Sequence, residues 1–205
     1  IKAKTEGVHV PEFTSLFNDN DINTYADTVS PPWLLKPRLE ASATGIKKIH
    51  SKDELWHIVN DLGDERDSYL VEKFAPGDVY HVDGLNLDGK VIFSRVSKYL
   101  DTPFEVAHGG GIFRSATCEI GTPIEKGLTK MNAEVMKAFG MQFGASHTEF
   151  IVSKATGDLF FLETSSRVGG ANLAEMVAFA SGINLWSEWA KIESDSLKHR
   201  KYKLP

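Results

Sequence analysis

Apolar residues change their spacing several times along the chain, and each change marks an element. Leu55, Trp56, Ile58, Val59 and Leu62 recur at helical spacing behind Ser51 and Glu54, a serine-to-glutamate capping box. A helix capped at Asn18 or Asp19 is expected to end near Val29, stopped by Pro31-Pro32. Short apolar runs predict strands at 33–36, 46–49 and 69–74, the last closed by Pro76-Gly77. Two hairpins follow. One joins 79–87 to 90–99 through Asp88-Gly89, and the other joins 146–152 to 158–164 through Ala155-Thr156-Gly157. Pro123 opens a helix that runs to Phe139, and helices over 171–180 and 185–192 close the pattern. Residues 37–45 and 101–111 read as loops. Helices and antiparallel hairpins are interleaved, which places the chain in the α+β class.

Composition narrows this picture. The 205 residues include 23 basic and 28 acidic ones, a formal net charge of -5, and 41% are apolar. A chain of this length buries roughly 70% of its unfolded surface, so it needs no covalent staples. Cys118 is the single cysteine, which excludes a disulfide scaffold. No apolar run approaches the roughly 20 residues of a membrane span. The mild acidity argues against a duplex nucleic-acid binder. A reduced, cytoplasmic, globular protein is expected. Ile1 to Gly7 reads as the end of a helix closed by glycine, and 198–205 as a basic, solvated terminus. These ends suggest a piece of a larger polypeptide.

Three stretches carry candidate chemistry. Lys36 ends a strand before a loop of small residues, Arg38 to Gly45, whose backbone N–H groups suit a polyanionic phosphate. Read alone, it is more readily an exposed strand-end lysine beside a turn. Glu72 lies in Val71-Glu72-Lys73-Phe74-Ala75-Pro76-Gly77, where a strand leaving its sheet frees backbone groups to read an adenine edge, unless this is an ordinary edge-strand exit. The sharpest is the second hairpin. Antiparallel pairing across Gly157 brings Glu149 and Glu163 within a register step of each other, and two such charges repel unless a cation lies between them. Mg2+ takes one or two carboxylates plus phosphate oxygens. Arg167 then faces a phosphoryl group or a carboxylate, and Gly169-Gly170 leads into a helix N-terminus that favours anions. A solvated acidic face with a surface arginine is the alternative.

In this order, Leu34-Leu35-Lys36-Pro37, Val71-Glu72-Lys73-Phe74, Ser97-Lys98-Tyr99 and the block from His147 to Gly170 resemble the ATP-grasp superfamily of carboxylate–amine ligases. The resemblance covers about 31–192. It implies two α+β lobes enclosing ATP, the smaller at 31–75 and the larger at 76–193, with 1–30 a linker and helix left from a preceding domain and 194–205 a tail. It also implies a reaction in which a carboxylate takes the γ-phosphate to give an acylphosphate and ADP, and an amine then displaces phosphate. Position by position, Lys36 and the loop residues Ser42, Thr44 and Gly45 would hold phosphates. Glu72, Lys73, Phe74 and Ala75 would hold the adenosine. Lys98 would reach the β- and γ-phosphates. Glu149, Glu163 and Ser165 would bind Mg2+, with Mn2+ as a substitute, and Arg167 would stabilise the acylphosphate.

Three departures from the pattern stand out. The ribose-binding glutamate position is Val79, and His81 either takes over that role or is a structural histidine on a strand face. The metal-ligand asparagine is Ser165, and the phosphate loop is poor in glycine. Val106 to Gly111 would be a mobile loop over the acceptor. The implied partners are a small carboxylate and an amine, with no nucleic acid and no membrane, and with a preceding domain; members of the family are often homodimers, and no residue here compels that state. Two other readings stay open: a non-catalytic ATP-binding module, and a biotin-carboxylase-like enzyme that activates bicarbonate.

Overall fold

The computed structural model describes residues 1–39 and 45–205. The elements run α1 (Lys2–Thr5), β1 (Phe13–Ser15), α2 (Asp19–Thr28), β2 (Trp33–Pro37), β3 (Lys47–Ile49), α3 (Lys52–Leu62) and β4 (Tyr69–Lys73). They continue with β5 (Gly77–Leu87), β6 (Lys90–Tyr99), α4 (Pro103–Gly109), β7 (Ser115–Thr117) and α5 (Pro123–Phe139). The chain ends with β8 (Gly144–Ser153), β9 (Leu159–Ser165), α6 (Leu173–Ser181) and α7 (Leu185–Leu197). They divide into two compact units, one of residues 11–76 with 103–111, the other of residues 1–10, 77–102 and 112–205.

The smaller unit holds an antiparallel sheet in the order β1-β4-β2-β3. Alternation along β2 sends Trp33 and Leu35 into a core with Ile49, Val71, Ile22 and Tyr25 of α2, and Leu55 and Val59 of α3. Asn18 and Ser51 cap their helices as expected, accepting from the N–H groups of Asn20 and Glu54.

The larger unit is a five-stranded antiparallel sheet in the order β7-β6-β5-β8-β9. One face presents Val82, Val96, Phe150 and Phe161 to Leu128 and Val135 of α5. On the other face Leu85 and Ala145 pack under Val177 of α6 and Leu185 and Ile192 of α7. The hairpin at Asp88-Gly89 has both residues at positive φ, 51° and 73°, the backbone a tight two-residue turn requires. Among the described residues, no helix is long and apolar enough to cross a membrane.

Three details differ from the sequence expectation. Pro103 to Gly109 form a short helix within the expected loop, with Pro103 starting it and Glu105 in its first turn. The 198–205 tail is not simply solvated. Tyr202 and Leu204 pack on the core beneath α7, and the Tyr202 hydroxyl donates to Glu188 (2.6 Å), while Lys201 and Lys203 face water. The short edge strands β1 and β7 were not foreseen, because three residues carry too little alternation to read.

Candidate functional site

Glu149 of β8 and Glu163 of β9 are direct Cα partners, beside a β-bulge between Glu149 and Phe150. Residues directly opposite in an antiparallel pair point to one face, so both carboxylates share a side of the sheet. Ser165 stands opposite His147, and His81 opposite Glu149, which puts them on that face too. Glu149 is largely buried and its Oε1 accepts from the Tyr99 hydroxyl (2.7 Å), with His147 Nε2 at 3.4 Å. Burial alone would raise its carboxyl, yet His147 and Tyr99 hold it below the usual carboxylate range. An ionised carboxylate directly opposite a second one is the donor set a hard divalent cation takes, so these residues fit Mg2+.

Beneath Glu149 lies a buried polar chain. Asp83 is fully buried and accepts from both His81 Nδ1 (2.7 Å, at Oδ2) and His147 Nδ1 (2.9 Å, at Oδ1). Burial opposes its charge, but the two imidazoles hold Asp83 well below the ordinary carboxylate range. Burial likewise opposes a charged His147, and Asp83 and Glu149 outweigh it, raising the ring to about 9. The loop after β9 closes over this chain. A Cβ on Gly169 would meet Asp83 Oδ1 at 2.7 Å and His147 Nδ1 at 3.0 Å, so only a glycine permits the approach. Arg167, two residues earlier, is exposed and donates from Nη1 to the carbonyl of Val168 (3.0 Å).

Two expected site residues sit differently. His81 is fully buried and both ring nitrogens are engaged, Nδ1 by Asp83 and Nε2 by Ser115 Oγ (2.7 Å), so it does not offer a ribose a nitrogen in place of Val79. Lys98 stands opposite Tyr80, one residue out of phase with Ser97 and Tyr99, and therefore on the sheet face opposite Glu149. Its Nζ donates to Asp78 Oδ2 (2.7 Å). Tyr99 occupies the Glu149 face instead. Sequence reasoning missed Asp83, Tyr99 and His147. The signal available was the i, i+2 spacing of titratable residues within strands, in His81-Val82-Asp83 and His147-Thr148-Glu149.

In the smaller unit Lys36 Nζ donates to Glu72 Oε1 (2.8 Å), both side chains mostly buried. Glu72 stands opposite Leu34, two residues from Lys36 on β2, which makes the pair diagonal neighbours on one face. The strand exit does not free the N–H groups of Lys73 and Phe74, which donate to the carbonyls of Glu12 (2.7 Å) and Pro32 (3.1 Å). The Phe74 ring lies under Lys48 Nζ at 4.0 Å, and Lys73 Nζ donates to the Ser30 carbonyl. Ala75 is half-buried, and Gly45 turns the chain at φ 73°. Ser42 and Thr44 lie outside the described residues.

The chain is 27% identical over 191 residues to an L-arginine-specific L-amino acid ligase of Bacillus subtilis, an overlap of 90% of this chain and 46% of that protein. It is 23% identical over 181 residues to a D-alanine–D-alanine ligase of Neisseria gonorrhoeae, covering 86% and 59% respectively. The biotin carboxylase domain of Hydrogenobacter thermophilus 2-oxoglutarate carboxylase superposes with a TM-score of 0.77 at 18% identity, over 99% of this chain and 45% of that one. The chain thus spans about half the length of the relatives it matches. No protein-family model matches it. Its fold is the ATP-grasp fold. The sequence relatives and structural neighbours are ATP-grasp carboxylate–amine ligases.

Proposed function

We propose that this chain is the ATP-binding core of an ADP-forming ligase that joins the carboxylate of one amino acid to the amine of another. The observation that carries the reading is the direct pairing of Glu149 and Glu163 on one face, with Glu149 held ionised by His147 and Tyr99. The relatives support the substrate class, since both the L-amino acid ligase and the D-alanine–D-alanine ligase bear names of enzymes that join amino acids. Neighbouring structures hold ATP in one case and MgADP with bicarbonate in another. The work of such an enzyme is done in the cytoplasm, where ATP and free amino acids are found.

Bound Mg2+ with ATP would supply a γ-phosphoryl group whose charge is already partly neutralised. The carboxylate oxygen of the first amino acid forms a bond to that phosphorus as the bond to ADP breaks, giving an acylphosphate. The amine of the second then forms the amide and expels phosphate. Within the larger unit Glu149 and Glu163, with the Ser165 hydroxyl beside them, take the metal, and Arg167 presents its guanidinium to the acylphosphate. Within the smaller unit Lys36 is the phosphate contact, oriented until then by Glu72, and the segment from Glu72 to Ala75 takes the adenosine.

The test measures ADP release with Mg2+ and pairs of amino acids, with bicarbonate as a separate arm. ADP that requires both an amino acid and Mg2+ supports the reading. ADP released with bicarbonate alone assigns a biotin-carboxylase-like reaction. Nucleotide binding that survives chelation of Mg2+ unchanged, with no ADP in any arm, leaves a binding module.

A further inference from the structure

A buried carboxylate is expensive unless its charge is paired and hydrogen-bonded. Asp83 has 0% exposure in the middle of β5, yet the next inward positions along this face, Leu85 and its Cα partner Ala145, are apolar and pack well under α6 and α7. An apolar side chain would therefore satisfy the sheet at this level also. What Asp83 does touch is specific. Its two oxygens take one imidazole each, His81 on its own strand and His147 on β8. The far nitrogen of His147 faces Glu149 Oε1, which the Tyr99 hydroxyl bonds from a second side. The backbone at Gly169 rests against the same carboxylate so closely that no Cβ fits between them. One buried group therefore supports both the proposed metal ligand Glu149 and the loop that carries Arg167.

We infer that Asp83 is the positioning residue of this site, fixing Glu149 through His147 and seating the Arg167 loop through its contact at Gly169. This rests on the metal-binding reading of Glu149 and Glu163. Partners that orient a metal ligand typically govern affinity by 10- to 100-fold on the order of magnitude, and here the partner acts across two strands and a loop.

The experiment titrates ADP into the full 205-residue chain with Mn2+ and again with the metal chelated, and counts bound Mn2+ by electron paramagnetic resonance. Asp83→Asn removes one acceptor from the pair of imidazoles. It is expected to weaken Mn2+-dependent ADP binding about tenfold while leaving metal-free ADP binding as it was. Gly169→Ala, which keeps Asp83 and wedges the loop away, should reproduce the loss, and it carries the test if Asp83→Asn does not fold. Thr148→Val, equally buried on the neighbouring strand β8 but facing the other way, should change neither quantity. Wild-type Mn2+ dependence in folded Asp83→Asn and Gly169→Ala overturns the inference. So does a Mn2+ site that survives loss of both Glu149 and Glu163, because His81, Asp83 and His147 would then be ligands themselves. If the wild-type chain shows no Mn2+-dependent ADP binding, or Glu149→Ala keeps it, the metal-binding reading fails first and the inference goes with it.

Discussion

Val82 and Phe150, which pack with Val96 and Phe161 on one side of the five-stranded sheet, come from the same two strands, β5 and β8, as His81, Asp83, His147 and Glu149 on the other. Along β5 and β8 the two sets alternate residue by residue, and both are buried near the middle of the sheet. Their physics is opposite. Each apolar side chain gains on leaving water, by about 1.5–3 kcal/mol when fully buried, and its exact partners matter mainly through packing. Each polar one loses hydration and is tolerated only because every charge meets another: Asp83 meets two imidazoles, and His147 meets two carboxylates. The apolar face holds the sheet against α5, and on the other face, beside the Leu85 and Ala145 core under α6 and α7, the polar cluster holds a geometry. The sharpest test of this division is whether damage on one face leaves the other's property intact.

The largest effect belongs to the apolar face. Phe150 is fully buried at the centre of that core, beside Phe161, so Phe150→Ala should cost about 3–5 kcal/mol by opening a cavity. Thermal and denaturant unfolding will read the loss. ADP binding per folded molecule, with Mn2+ present, is expected to stay close to wild type. A large loss of that binding in molecules still folded would break the division.

On the polar face the order of losses reverses. Glu163→Ala removes one half of the carboxylate pair, and Arg167→Ala an exposed guanidinium. Each should cut amino-acid-dependent ADP formation by on the order of 10²- to 10³-fold, the scale seen when one preorganised charge-stabilising group is lost. Unfolding free energy should move little, since neither residue belongs to an apolar core. Full turnover in both variants would remove the catalytic reading.

The polar network also predicts a pH signature in metal-free protein. The folded pKa of His147 is about 9 against an ordinary 6.5, so its contribution to stability is complete below pH 6.5 and is lost as pH rises through 9. The size is on the order of 3 kcal/mol. Asp83 has the opposite sign: its folded pKa is depressed, so its contribution is present above the ordinary carboxylate range and disappears only as strong acid protonates the folded form. Denaturant titrations at pH 6.5 and 9.5 should therefore show the metal-free chain weaker at the higher pH, and His147→Gln should flatten that difference. An unchanged slope in the variant would assign the pH dependence elsewhere.

How much of this was legible before the structure follows from where each contact closes. The Glu149–Glu163 pair lies within one hairpin, so the turn at Gly157 fixes its register to within a step, and local pattern was enough. The Asp83–His147 bond spans 64 residues and exists only because β5 pairs with β8. No periodicity within either strand announces that pairing, although each strand's alternation already put its two polar residues on one face. Lys98 shows the converse. It lies in a stretch that resembles the ATP-grasp pattern, while the alternation of Ser97, Lys98 and Tyr99 places Tyr99 on the polar face and Lys98 on the other. The helix caps at Asn18 and Ser51 were readable because capping is local chemistry. The packing of Tyr202 and Leu204 was written in the alternation Lys201-Tyr202-Lys203-Leu204, which high charge obscured.

The smallest expected effect concerns a polar pair on the apolar side. Thr148 and Thr164 are Cα partners across β8 and β9, and their hydroxyls are 2.9 Å apart. Thr148 is fully buried, so replacing Thr164 alone by valine strands a hydroxyl without that partner and should cost about 1–3 kcal/mol. Replacing both by valine removes the need for the bond along with the bond, keeps the shape, and suits a strand. The double variant should therefore be no less stable than the worse single one, and within about 1 kcal/mol of wild type. A double-variant cycle by denaturant unfolding measures this coupling. The Asp83–His147 pair on the opposite face cannot be exchanged in this way without loss of Mn2+-dependent ADP binding, because there the bond positions Glu149 as well as satisfying its own donors and acceptors. If the double valine variant lost that binding too, polar groups on both faces would serve the site, and the sheet would not divide into a side that folds and a side that works.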